Sequence, residues 1–148
     1  MFSKACEYAI RSLIYVTEKS KNGERVSVTD ISTAVESPFA FTGKTLQKLV
    51  KQDIISSAKG PNGGFYITEE QAKANRLADV VSLIDGNAVF QGCGLGLKIC
   101  KENQPCPLHQ NFKEIRKQLK KMLQSTTVAE LAESQATQKT FLNNINRN

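Results

Sequence analysis

The sequence predicts a mainly α-helical protein with a small β-hairpin wing: a winged helix-turn-helix followed by one longer helix. Three observations predict it. Apolar residues recur at three- and four-residue spacing through three successive early segments. The run Pro61-Asn62-Gly63-Gly64 is a strong turn signal, with Phe65-Tyr66-Ile67 behind it as a returning strand. Beyond His109, the residues Phe112, Ile115, Leu119 and Met122 alternate spacings of three and four, the mark of a helix–helix seam.

Ser3 is placed to cap a first helix reaching about Lys19, with Cys6, Ala9, Ile10, Leu13, Ile14 and Thr17 on one face. The polar stretch Ser20 to Arg25 ends it. A second helix begins near Ser27, where Ser27 and Asp30 have capping-box spacing, and buries Val28, Ile31 and Ala34 or Val35. Pro38 stops it, because proline disfavours helical geometry in the residue before it. A third helix runs from about Phe39 to Gln52, with Leu46, Leu49 and Val50 inward and Lys44, Thr45, Lys48 and Lys51 outward. Ile54 to Ser57 reads as a short strand opening the hairpin. Leu77 to Asp85 is a short amphipathic helix with Val80, Val81 and Ile84 inward. Residues 86–107 read as loop, an unusual length unless something orders it. The long helix spans about His109 to Gln124, and Thr127 and Glu130 start a short last helix through Glu133. The domain organisation expected is a winged helix-turn-helix unit over 1–75, a long loop with further helices over 76–134, and a flexible tail over 135–148.

The chain has 148 residues, 40% of them hydrophobic, which suits a globular domain with a real core. Its net charge of +6 favours a polyanionic partner. No apolar stretch approaches the ~20 residues that span a bilayer. Lys4, Glu7 and Arg11 interrupt the apolar N-terminus, which excludes a signal peptide. A cytoplasmic protein with no membrane association is expected, and in that reducing compartment clustered cysteines serve as metal ligands or redox groups before disulfides. One histidine, no nucleophile–base grouping and no phosphate-binding motif argue against an enzyme.

The outer face of the third helix is the candidate double-stranded DNA reader, since a protruding helix fits the major groove. Phe41, Lys44 and Thr45 are assigned to the groove, and Lys48 to the backbone or a base. Lys59 stands at the wing tip, where a cation suits the narrow minor groove. The plainer alternative for each lysine is a solvated surface.

Three of the four cysteines, Cys93, Cys100 and Cys106, fall in the run GCGLGLKICKENQPCPLH, which ends on His109, the only histidine. Thiolates gathered this way select zinc, copper(I) or an iron–sulfur cluster. The gaps of six and five residues differ from the two-residue knuckles of structural zinc sites and lean toward an iron–sulfur cluster (2Fe-2S or 4Fe-4S). The fourth ligand is His109, or Glu7 of a partner subunit's first helix. Isolated Cys6 reads as a small buried apolar residue.

Taken in order, SKACEYAIRSLIYV, VSVTDISTAV, SSAKGPNGGFYIT, LADVVSLIDG, the three cysteines with CPLH, and TVAELAE resemble the bacterial winged-helix regulators typified by the iron–sulfur regulator IscR and the nitric-oxide sensor NsrR. The resemblance covers roughly residues 1–134. It implies a homodimeric transcription factor, repressor or activator, whose long dimerisation helix pairs Phe112, Ile115, Leu119 and Met122 with a symmetry mate. It also implies a redox-sensing cluster on Cys93, Cys100 and Cys106. His109 matches the fourth ligand of one type and Glu7 that of the other. The first cysteine gap is one residue longer than usual, and Lys59 stands where many members have arginine. Two rival readings are a regulator with a structural Cys3His zinc site and a thiol-redox protein without a DNA role.

Overall fold

The first helix, α1 (Lys4–Lys21), starts at Ser3, whose hydroxyl accepts the Cys6 amide at 3.1 Å. Asp85 lies across the same end and accepts the Ser3 amide at 2.9 Å, tying the start of the chain to a helix 82 positions on. The computed structural model describes residues 1–138, and the expected tail beyond Gln138 lies outside the described residues.

Ser27 and Asp30 close a capping box at the start of α2 (Val28–Val35). Val35, not Ala34, is the buried member of that pair. Glu36 takes a left-handed backbone (φ 53°) that turns the chain into α3 (Phe39–Lys51). The hairpin is β1 (Ser56–Ala58) against β2 (Gly64–Tyr66), antiparallel, with Ser57 opposite Phe65. The first strand begins two residues later than the sequence predicts. Ile54 and Ile55 are both buried, lie outside the paired register and belong to the turn leaving α3. Val26 adds a third short pairing: its amide and carbonyl exchange bonds with Phe65 at 3.0 and 2.7 Å. Gly64 is required there. Its φ is +138°, and a Cβ would stand 2.8 Å from the Val26 carbonyl oxygen.

Three features went unforeseen. Thr68 and Gln71 form a capping box that starts α4 (Glu69–Ala74). After α5 (Leu77–Asp85), a four-residue turn, α6 (Ala88–Gln91), opens the expected loop. Finally, α8 (Val128–Gln138) follows α7 (His109–Ser125) and runs past Glu133, so residues 135–138 are helical where a flexible tail was expected.

Two apolar clusters hold these elements. The larger takes Ala9, Leu13 and Val16 from α1, Ile31 and Val35 from α2, Leu46 and Leu49 from α3, and Ile55, Val80 and Val128 from later in the chain. The smaller joins Cys6, Leu77, Val81 and Leu123. Thus α1 packs against α2, α3, α5 and α8, and α5 packs against α7, which links the helix bearing the candidate DNA face to the helix that bears the cysteine loop.

Candidate nucleic-acid interface and cysteine loop

On α3 the buried face is Thr42, Thr45, Leu46 and Leu49. Lys44 and Lys48 are exposed, as expected of residues offered to a duplex. Thr45 is not. It is buried, three positions after Thr42 on the same side, and its hydroxyl donates to the Phe41 carbonyl at 3.0 Å. A threonine bonded to its own helix and packed inward cannot meet a base edge. Phe41 is 38% exposed, with its ring edge-to-face on Tyr8 at 5.9 Å, and Arg11 lies 5.6 Å from the centre of that tyrosine ring. One side of Phe41 is therefore anchored to α1 while the other faces outward.

Lys59 is exposed at the hairpin turn. The turn is tight: the Gly63 amide donates to the Gly60 carbonyl at 2.9 Å, and a Cβ on Gly63 would stand 2.2 Å from the Ala58 carbonyl oxygen. Arg25 lies against the same wing. Its guanidinium sits 4.9 Å from the Tyr66 ring centre and donates to the Asn62 carbonyl at 3.5 Å. Sequence reading missed Arg25, because only the long-range Val26–Phe65 pairing brings it to the hairpin.

The cysteine loop folds onto one face of α7. His109, Phe112 and Arg116 are spaced three and four apart on that face, and each holds a point of the loop. The His109 ring is buried, with Nδ1 3.2 Å from Cys100 Sγ. The Phe112 ring covers Gly94 so closely that a Cβ there would lie 2.4 Å from it. Arg116 donates to the Gly92 carbonyl at 2.7 Å and points Nη2 at Cys100 Sγ, 3.8 Å away. The sulfurs of Cys93 and Cys106 are 3.9 Å apart. The four expected ligands thus form two pairs, Cys93 with Cys106 and Cys100 with His109. Among the described residues no three His, Cys, Asp or Glu side chains gather around one point as a single metal ion requires. Glu7 is paired with Lys4 on α1, Oε2 to Nζ 2.9 Å.

The thiols differ in character. Bonds from the backbone at Leu95 and Leu97, then the neighbouring Cys106 and Arg116, hold the Cys93 thiol below its ordinary pKa. Burial, with the charges of Asp85 and Glu7 behind it, pushes Cys6 up to about 12, so Cys6 is the apolar filler its isolation suggested.

Residues 2–144 match the Rrf2 family, described as iron-dependent transcriptional regulators. The chain belongs to the Rrf2 family. It is 29% identical over 134 residues to a helix-turn-helix-type transcriptional regulator of Aquifex aeolicus, covering 88% of this chain and 90% of that one. It is 26% identical over 128 residues to the regulator IscR of Klebsiella pneumoniae, covering 86% and 77%. Among solved structures, the global cysteine regulator CymR of B. subtilis superposes with a TM-score of 0.72 at 19% identity, covering 90% of this chain and 96% of that one. IscR of T. potens gives 0.72 at 15% identity, covering 98% and 94%.

As an Rrf2 member the chain is a DNA-binding transcriptional regulator of winged-helix fold, and its role is non-enzymatic. No helix among the described residues is long and apolar enough to cross a membrane. The seam expected along the long helix divides in two. Leu119 packs into the smaller core and Phe112 against the loop, both within the chain. Ile115 and Met122 stay 56% and 46% exposed. Leu108, 40% exposed, continues their line at seven-residue spacing. The two directions lie on adjacent helix faces, a distinction that three–four periodicity alone does not make.

Proposed function

We propose that this regulator binds its operator as a homodimer whose grip is set by an iron–sulfur cluster on Cys93, Cys106, Cys100 and His109. The observation that carries the reading is the division of these ligands into two pairs. Two ligands sharing one tetrahedral metal at 2.0–2.3 Å bond lengths lie about 3.3–3.8 Å apart. The Cys93–Cys106 separation of 3.9 Å and the Cys100–His109 separation of 3.2 Å are close to that spacing. Two pairs without a common centre suit a two-iron core, one pair for each iron, better than a lone zinc ion, which needs all four ligands around one point. The iron dependence in the family's description points the same way. With His109 already beside Cys100, the fourth ligand comes from the same chain, and Glu7 is not needed.

When bound, the cluster supplies a one-electron redox centre. The chain's own residues supply the rest. His109, Phe112 and Arg116 hold the loop on α7. The exposed line Leu108, Ile115 and Met122 pairs α7 with its symmetry mate. Phe41, Lys44 and Lys48 face the major groove, and Lys59 the minor groove. A dimer must match half-sites about 34 Å apart, so a shift of the loop that reorients α7 changes the spacing of the two α3 helices and with it specific affinity.

Anaerobic purification with iron, sulfide and zinc assays tests this. Expected are brown protein with iron and sulfide in equal amounts, and loss of both from H109A but not from E7A. Stoichiometric zinc without sulfide would sink the reading.

A further inference from the structure

Arg116 is not among the proposed ligands, yet it touches both ends of the first cysteine gap. Its Nη1 donates to the carbonyl of Gly92, the residue before Cys93, at 2.7 Å, while Nη2 lies 3.8 Å from Cys100 Sγ. The planar guanidinium makes both contacts at once, as a lysine ammonium cannot from one position. The surrounding cations are of another kind. Lys98 and Lys101 are exposed, and Lys113 is exposed and paired with Glu102. Arg116 is half-buried, and among the described residues no carboxylate forms a salt bridge with it. Its charge is therefore directed at sulfur and is neither neutralised by a neighbour nor fully screened by water.

We propose that Arg116 is a positioning residue of the ligand loop that also raises the reduction potential of the group held there; the second part rests on the cluster reading above. Reduction by one electron adds a negative charge to the cluster and its thiolates. A cation 3.8 Å from one of those sulfurs favours the more negative state. The bond to Gly92 fixes the start of the loop, so Cys93 is delivered to Cys106 before any metal arrives.

The test uses the full chain as wild type, R116Q, R116K and K117Q. Lys117 is the exposed neighbour on α7 and serves as the control for charge alone. In anaerobic potentiometric titrations followed by visible absorption, R116Q is expected to shift the reduced-to-oxidised ratio at fixed potential at least tenfold toward oxidised, about 59 mV for one electron. R116K, which keeps the charge, and K117Q are expected within threefold of wild type. An R116Q potential equal to that of wild type and K117Q overturns the tuning role. The positioning role is read on metal-free protein by hydrogen exchange of amides 93–100. Exchange at least tenfold faster in both R116Q and R116K than in K117Q is expected, and equal exchange overturns it. If R116Q takes up no iron while R116K loads, or if neither variant loads, tuning fails as a separate role and hydrogen exchange decides positioning. Wild type without iron and sulfide would instead remove the cluster reading and leave the hydrogen-exchange result intact.

Discussion

In the first half of the chain Leu13, Ile31, Leu46, Leu49 and Ile55 are each at most 1% exposed, whereas in the cysteine loop Leu95, Leu97 and Ile99 stand 51%, 55% and 66% exposed. The helices are held by apolar burial and by reciprocal caps at Ser27 and Thr68. The loop has no core of its own. It is attached by the rings of His109 and Phe112 and the guanidinium of Arg116 from one face of α7, and by the exposed pair of Lys113 with Glu102. A segment so held costs little to rearrange, which is the property a sensing element needs, while a scaffold presenting a helix to DNA needs the opposite.

The sharpest way to break the contrast is to cut each region once. Leu46→Ala opens a cavity under α3 and is expected to cost about 2–5 kcal/mol. Cys100→Ser in the metal-free protein alters only the loop and its polar contacts with His109 and Arg116, leaves the core intact, and is expected to stay within about 0.5 kcal/mol. Thermal or urea unfolding measures both, and equal losses would mean the loop shares the core's cooperativity.

Gly64→Ala comes next. At φ +138° with the Val26 carbonyl 2.8 Å from a new Cβ, alanine has to break the pairing that seats the wing. Backbone strain of this kind costs on the order of 1–3 kcal/mol. DNA affinity is expected to fall with stability, and a chain that keeps both would show that the wing is not seated by Val26.

Lys48→Ala has a smaller and more specific effect. Its exposed ammonium contributes nothing to packing, so stability should be unchanged. Loss of one phosphate contact should flatten the slope of log affinity against log salt by about 0.9. An unchanged slope in filter or fluorescence binding would remove Lys48 from the backbone-contacting set.

How far the sequence foretold these regions follows the same division. Capping boxes and three–four periodicity are local signals, and α1, α2, α3 and α5 lie where those signals put them. Thr45 was misjudged because a threonine is polar by composition, yet in a helix its hydroxyl can bond back to its own backbone and leave the methyl for the core. Periodicity puts Phe112, Ile115, Leu119 and Met122 of α7 on one stripe, and because they lie within a quarter turn of one another only the packed structure separates the two that meet the chain from the two left exposed. In the loop the three thiols and the imidazole were legible as side chains able to bind metal, but their contacts in two pairs were not. Arg25 and Arg116 carried no sequence signal, since their roles come from contacts 37 and 24 residues away.

The smallest effect lies within the cysteines themselves and tests the contrast at single thiols. The thiolate is the form that reacts with iodoacetamide, so alkylation reports both exposure and ionisation. An ordinary thiol with a pKa near 8.5 slows about fivefold between pH 8.5 and 7.5 as it protonates. Cys93 is held below its ordinary pKa, chiefly by the backbone at Leu95, so its thiolate persists as the pH falls through that range. In the metal-free protein its rate should therefore drop by less than that factor. Cys6 is fully buried and raised to about 12, so it remains a protonated thiol throughout and should react only after unfolding. Mass spectrometry of peptides from a timed alkylation separates the two sites. If Cys6 labels as fast as Cys93 in the native protein, α1 opens as readily as the loop, and the division between a fixed scaffold and a pliable loop fails at its simplest point.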